Sequence, residues 1–134
     1  MNKINYNDIM ERVFKFEEIT MKDLKFTIDM KNTLNGKIYE DTYLIKHQLA
    51  FVDIIIDSLN IQSILYNAIL KKNNELINHL LLRIYKKLLD AIEIMDEMNS
   101  MNMFNIRIYF MMLKKFEYLQ NDIKDLCELI KIIK

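Results

Sequence analysis

Apolar residues recur along this chain at three- and four-residue intervals, the period of a helix with one buried side, and almost no stretch alternates as a strand would. A first helix is predicted over 8–18, with Ile9, Met10, Val13, Phe14 and Phe16 on its apolar side. Thr20, followed three residues later by Asp23, resembles a helix start, so a second helix is expected to carry Leu24, Ile28 and Met30. Asn35-Gly36 is a favourable place for it to stop. A long, strongly apolar helix is predicted over 39–59, and Ser58-Leu59-Asn60 reads as a soft break before a short helix over 61–72. Ile54-Ile55-Ile56 alone would suit a strand, but its surroundings are helical.

Asn73-Asn74 should open the next helix, running to Met98. Glu75, His79, Arg83, Lys87 and Asp90 form its polar stripe, and Leu and Ile fill the opposite side. After a break at Asn99–Asn102, a last long helix is expected over 103–133, antiparallel to its neighbour because so short a connection leaves little alternative. The expectation is a single all-α domain over 1–134, with about six helices and no repeat or linker.

Composition supports helices and narrows the function classes. One glycine and no proline leave little material for repeated strand-turn structure. The 51% apolar fraction and 28% charge suit a globular domain. Net charge is zero, and Lys86-Lys87 and Lys114-Lys115 are short pairs on helix faces, so neither a nucleic-acid binder nor an acidic mimic is indicated. The N-terminus lacks a signal-peptide core, and an uninterrupted apolar window long enough for a membrane span is lacking as well. With Cys127 the sole cysteine, an intrachain disulfide is impossible, and a cytoplasmic setting is expected. The wealth of Ile, Asn and Lys suggests AT-rich coding DNA.

Catalytic patterns are largely missing. His47 and His79 fall on different helices without metal-ligand spacing. A single glycine rules out the glycine-rich phosphate loops. Cys127, among Leu126, Leu129 and Ile130, reads as a core thiol, and Asp53 and Asp57 read as solvated carboxylates. Arg12 and Arg83 read as surface residues. Two positions stand out. Arg107 lies in the most uniformly apolar stretch, 103–113, so it should face a carboxylate, an anion or an interface. His47 shares a face with Leu44, Phe51 and Ile54, which aims it at the core; a satisfied core histidine is the ordinary alternative to a ligand role. The ten methionines make an adaptable interior, as core filler or as the wall of a site for a flexible apolar chain.

The run from Ala50 to Leu59, the segment Leu81 to Leu89, and the long stretch Met103 to Leu129 with aromatics near its start together resemble the non-haem globin sensor domains of Bacillus-type bacteria. Those domains form the N-terminal halves of stressosome proteins and sporulation sensor kinases, and some occur alone on plasmids. The likeness covers roughly residues 38–130 as an order of helix lengths and apolar patterns; the N-terminal third matches less closely, and no output domain is expected beside it. It implies a globin-like fold without haem, a homodimer, and a fatty acid in an apolar tunnel whose carboxylate meets an arginine and a chloride ion. A standalone member would inhibit sporulation by sequestering the signal of a related kinase. On this chain that places Arg107 and His47 at the head group and Leu44, Phe51, Ile54, Phe110 and Met111 along the tunnel. Independently, the predicted 61–72 helix offers no histidine for ordinary haem ligation.

The expected function is thus a non-enzymatic sensor that binds a fatty-acid-like anion, with no metal, nucleic acid or membrane span. Two other classes fit an all-α chain of this length: a viral Bcl-2-like protein that binds amphipathic peptides, and a phage or plasmid inhibitor acting by protein contact.

Overall fold

A computed structural model describes residues 6–36, 42–100 and 107–133; at Tyr6, 42–44, 107–109 and Ile133 it describes the helical backbone alone. Among the described residues there is no strand, and the chain forms four helices: α1 (Tyr6–Gly36), α2 (Thr42–Leu70), α3 (Asn74–Ser100) and α4 (Arg107–Ile133). The all-α class is as expected. The helix count is not, because two predicted breaks lie inside continuous helices.

Both departures have the same physical origin. Thr20 and Ser58 look like punctuation, yet their hydroxyls find partners without ending the helix. Thr20 sits in the middle of α1, fully buried, and its hydroxyl bonds the Tyr66 hydroxyl of α2 instead of capping a helix start. Ser58 Oγ donates to the carbonyl of Ile54 one turn back, at 2.9 Å. Thr27 does the same to Asp23 at 2.7 Å and Thr33 to Asp29 at 3.0 Å. A hydroxyl satisfied by the preceding turn is compatible with a helix interior.

The real stop between α2 and α3 is chemically explicit. The amide of Asn73 donates to Ala68 O at 3.1 Å and that of Lys72 to Ile69 O at 3.0 Å, the paired bonds of a Schellman end. Lys72 takes the left-handed conformation such an end requires, with φ of 56°. Asn73 then caps α3, its Oδ1 accepting from Leu76 N at 3.2 Å, as the Asn73-Asn74 signal predicts.

The buried faces follow a seven-residue rhythm. In α1 the inward line is Val13, Thr20, Thr27 and Leu34; in α3 it is Ile77, Ile84, Ala91 and Met98; in α4, Phe116, Ile123 and Ile130. A repeat of seven keeps one seam of a helix facing its neighbour along its whole length. Because two α1 seam positions are threonines, the predicted apolar side was rotated. Phe14 and Ile28, expected inside, are 51% and 41% exposed.

Helix α2 is central and is buried on both sides, from Ile45 through Phe51, Val52, Ile55, Leu59, Leu65 and Ile69. It packs most extensively on α3 and next on α1, while α4 lies along α3 and touches α1. Lys87–Asp57 and His47–Glu97, each at 3.5 Å, fix an antiparallel α2/α3 register. Lys31–Asp53 at 2.7 Å and the Thr20–Tyr66 contact do the same for α1/α2. Helix α4, packed along α3 after a six-residue connection, runs back down it, so α2 and α4 point the same way.

From Ile45 to Leu70, α2 is long and apolar enough by composition to cross a membrane, although half of that span is buried inside the bundle. It includes the buried polar residues Gln48, Ser58 and Gln62. A central bundle helix needs the same composition, so the feature is weak evidence for a span.

Candidate binding cavity

Among the described residues, a sizeable apolar cavity opens where α1, α2 and α4 diverge. It holds about 500 Å³ and is walled by Phe26 of α1, Ile55 and Leu59 of α2, and Met111, Met112 and Phe116 of α4. The placement follows from the packing: α4 lies along α3 and only touches α1, so its upper turns leave a gap over α2. Long, adaptable side chains fill such a gap incompletely, and two methionines line it. At its edge Lys115 Nζ lies 2.9 Å from Asp23 Oδ1. The lysine side chain is 58% exposed and the aspartate 19%, so the ammonium remains open to water while the carboxylate is held toward the protein.

Below the cavity the core turns polar. Ile55 and Leu59 line it together with Met112 and Phe116; about one turn further along α2 and α4 come Gln62 and Gln120. Both are buried, Gln62 completely. Neither polar atom of the Gln62 side chain, nor Nε2 of Gln120, has a hydrogen-bond partner among the described residues. One turn beyond Gln62, the Tyr66 hydroxyl donates to Phe16 O at 3.2 Å and is bonded to Thr20. Burial raises the Tyr66 phenol to about 12, the Thr20 bond opposes this, and the negative charges of Glu17 and Asp23 add to it.

The residues predicted for a site are dispersed. Met111 lines the cavity. Phe51 is fully buried in the core, Ile54 packs against it half-buried, and neither is among the described lining residues. Phe110 is 46% exposed, with Lys114 Nζ 5.5 Å from its ring centre. His47 is largely buried and its Nε2 lies 3.5 Å from Glu97 Oε1 on α3, a position at the α2/α3 seam. The side chains of Arg107 and Leu44 lie outside the described residues. Arg12 and Arg83 are exposed, as expected.

Sequence reasoning missed Phe26, Met112, Phe116 and the Lys115–Asp23 pair. A contact between residues so far apart in the chain leaves no local signal. Cys127 is buried in the core, and that burial raises its thiol to about 11, with Lys131 opposing and Glu128 adding to the shift. Among the described residues no cluster of His, Cys, Asp and Glu could hold a metal ion.

Comparisons with protein-family models, curated proteins and solved structures found no match for this chain.

Proposed function

We propose that this chain is a non-enzymatic binding module whose α1/α2/α4 cavity receives the apolar tail of a fatty-acid-like anion. The observation that carries this reading is the cavity itself, about 500 Å³ with Phe, Ile, Leu and Met walls and a single cation–carboxylate pair at its edge. Small-molecule sites are typically apolar concavities of this size with a few placed polar groups. A carboxylate head would meet Lys115 at the mouth, where the ammonium is still hydrated and has donors to spare beyond the one facing Asp23. Asp23 disfavours a head group driven deeper, so the tail enters first and the charge stays outside.

The resemblance to non-haem globin sensors points to the same ligand class. The chain shows four helices among the described residues where about six are expected, so the ligand assignment rests on the cavity and not on Arg107 or His47. A module that binds such an acid without transforming it acts by capture, withholding the signal from a related sensor.

Palmitate titrated into the purified protein should bind saturably, and organic extraction should release a long-chain acid. Met111→Glu and Phe26→Glu alter exposed wall positions, so each should leave the fold intact and weaken palmitate by about tenfold or more, the equivalent of ~1.4 kcal/mol. Lys115→Gln should weaken it less. Unsaturable binding, or an affinity that both wall variants leave untouched, would overturn the assignment.

A further inference from the structure

Gln62 of α2 is completely buried, and neither of its amide atoms has a hydrogen-bond partner among the described residues. A buried polar group in that state calls for an explanation, because leucine would fill the position without the desolvation cost. Its place on the helix supplies one. Ile55, Leu59 and Gln62 follow at intervals of four and three residues, so they share a face of α2, and the first two line the cavity. Chains depart from the locally favoured residue most often where a ligand uses the exception.

The register of α1 on α2 puts this amide behind the mouth of the cavity. Thr20 bonds Tyr66, and Lys31 pairs with Asp53, across the antiparallel α1/α2 seam. Three residues on from Thr20 along α1 and four back from Tyr66 along α2, Asp23 therefore stands opposite Gln62. Asp23 is also close enough to Tyr66 for its charge to act on the phenol. It is Asp23 that holds Lys115 at the cavity edge. Gln120, the other buried amide with a partnerless atom, borders the α3/α4 groove with Tyr85 and Leu88 and so serves a different face.

We infer that Gln62 recognises a hydroxyl carried close to the carboxylate of the ligand, so that the cavity prefers β-hydroxy acids to plain ones. This rests on the reading of the cavity as an acid site. With the carboxylate at Lys115 and the tail among Phe26, Ile55 and Met111, the first few carbons pass the level of Gln62. A hydroxyl both donates and accepts, so it can bond either atom of the amide. The amide has already lost its water in the folded chain, so only the hydroxyl is stripped on binding, and a bond is gained that a methylene cannot make. Met112, half-buried and unbranched, is the wall residue able to move aside for it. A hydroxyl at the far end of the tail would instead be buried among apolar side chains.

Calorimetric titration of the full chain with palmitate, β-hydroxypalmitate and ω-hydroxypalmitate tests this. The β-hydroxy acid should bind about tenfold more tightly than palmitate, and the ω-hydroxy acid no more tightly. In Gln62→Leu, and again in Gln62→Met, the β-hydroxy acid and palmitate should bind alike. Gln120→Leu should keep the parent's preference. Saturable palmitate binding without a β-hydroxyl preference would refute the role of Gln62 and leave the acid site standing. Failure of all three acids to bind would remove both. A preference for the ω-hydroxyl, or a β-hydroxyl preference that survives both Gln62 variants, would also overturn the inference.

Discussion

Raising the pH through the alkaline range should strip this bundle of about 3 kcal/mol for Tyr66 alone, with a comparable loss from Cys127, each following from a shift of about two pH units at ~1.4 kcal/mol per unit. Tyr66 is 1% exposed and its phenol is raised from the ordinary 10.0 to about 12, chiefly by burial. Cys127 is 4% exposed and raised from 9.0 to about 11 for the same reason. Both groups are neutral when protonated, and the folded state holds the proton more tightly than the unfolded chain does. Their contribution is therefore complete below the unfolded value and disappears as pH rises through the folded one. For the thiol that window runs from 9.0 to about 11, for the phenol from 10.0 to about 12. Tyr66→Phe removes the ionising group. At neutral pH it should destabilise by about 1 kcal/mol through the lost hydroxyl contacts with Thr20 and Phe16. Above pH 10 the variant's urea-derived stability should fall more gently than the parent's. Parallel alkaline slopes for parent and variant would show that Tyr66 does not carry the effect.

Gln62→Leu should raise stability by about 1–3 kcal/mol, the usual penalty for burying a polar group whose hydrogen bonds are not made. Gln62 is completely buried and neither of its amide atoms has a partner among the described residues. Leucine is apolar and close in size, so the replacement removes the desolvation term with little change in packing. Thermal melts of Gln62→Leu and Gln62→Met should both shift upward by several degrees, as expected for a domain of this length. A drop in both would mean that the amide is satisfied in solution and holds its layer in place. Among the described residues, Gln120 has only Nε2 without a partner, so Gln120→Leu should gain less.

Most of the helical content could be read from the sequence because apolar spacing reports directly on which side of a helix is buried. Ile77, Leu80, Ile84 and Leu88 announced α3, and Asn73 announced its start. The misreadings came from hydroxyl residues. Thr20 and Ser58 are polar by type and buried in fact, and a rule that treats them as helix punctuation breaks α1 and α2 where the chain runs on. In α1 the buried Thr20 and Thr27 also turn the inward face away from the apolar side that the spacing predicts, and Phe14 lies outside. The cavity was less legible still. Met111 belonged to a predicted apolar tunnel and does line the gap, but the opposing wall depends on how far α4 stands from α1 and α2. Nothing in a one-dimensional pattern encodes that separation. His47 was correctly placed on an inward-facing position, whereas its neighbour Glu97 belongs to another helix, fifty residues along the chain by numbering.

The order of the helices has a consequence for how the chain finds this arrangement. Every major packing partner is the next helix in sequence, and among the described residues the α1/α4 contact is the main one that joins distant segments. The α2/α3 pair, with its tight Lys72-Asn73 turn, can close by zipping outward from residues already adjacent, a search that sacrifices little loop entropy. Helices α1 and α4 then dock onto a preformed surface. Topologies dominated by such near-neighbour pairing fold quickly, since few distant segments must meet by diffusion. On this topology the α1/α4 contact, beside the cavity, is the one expected to form last.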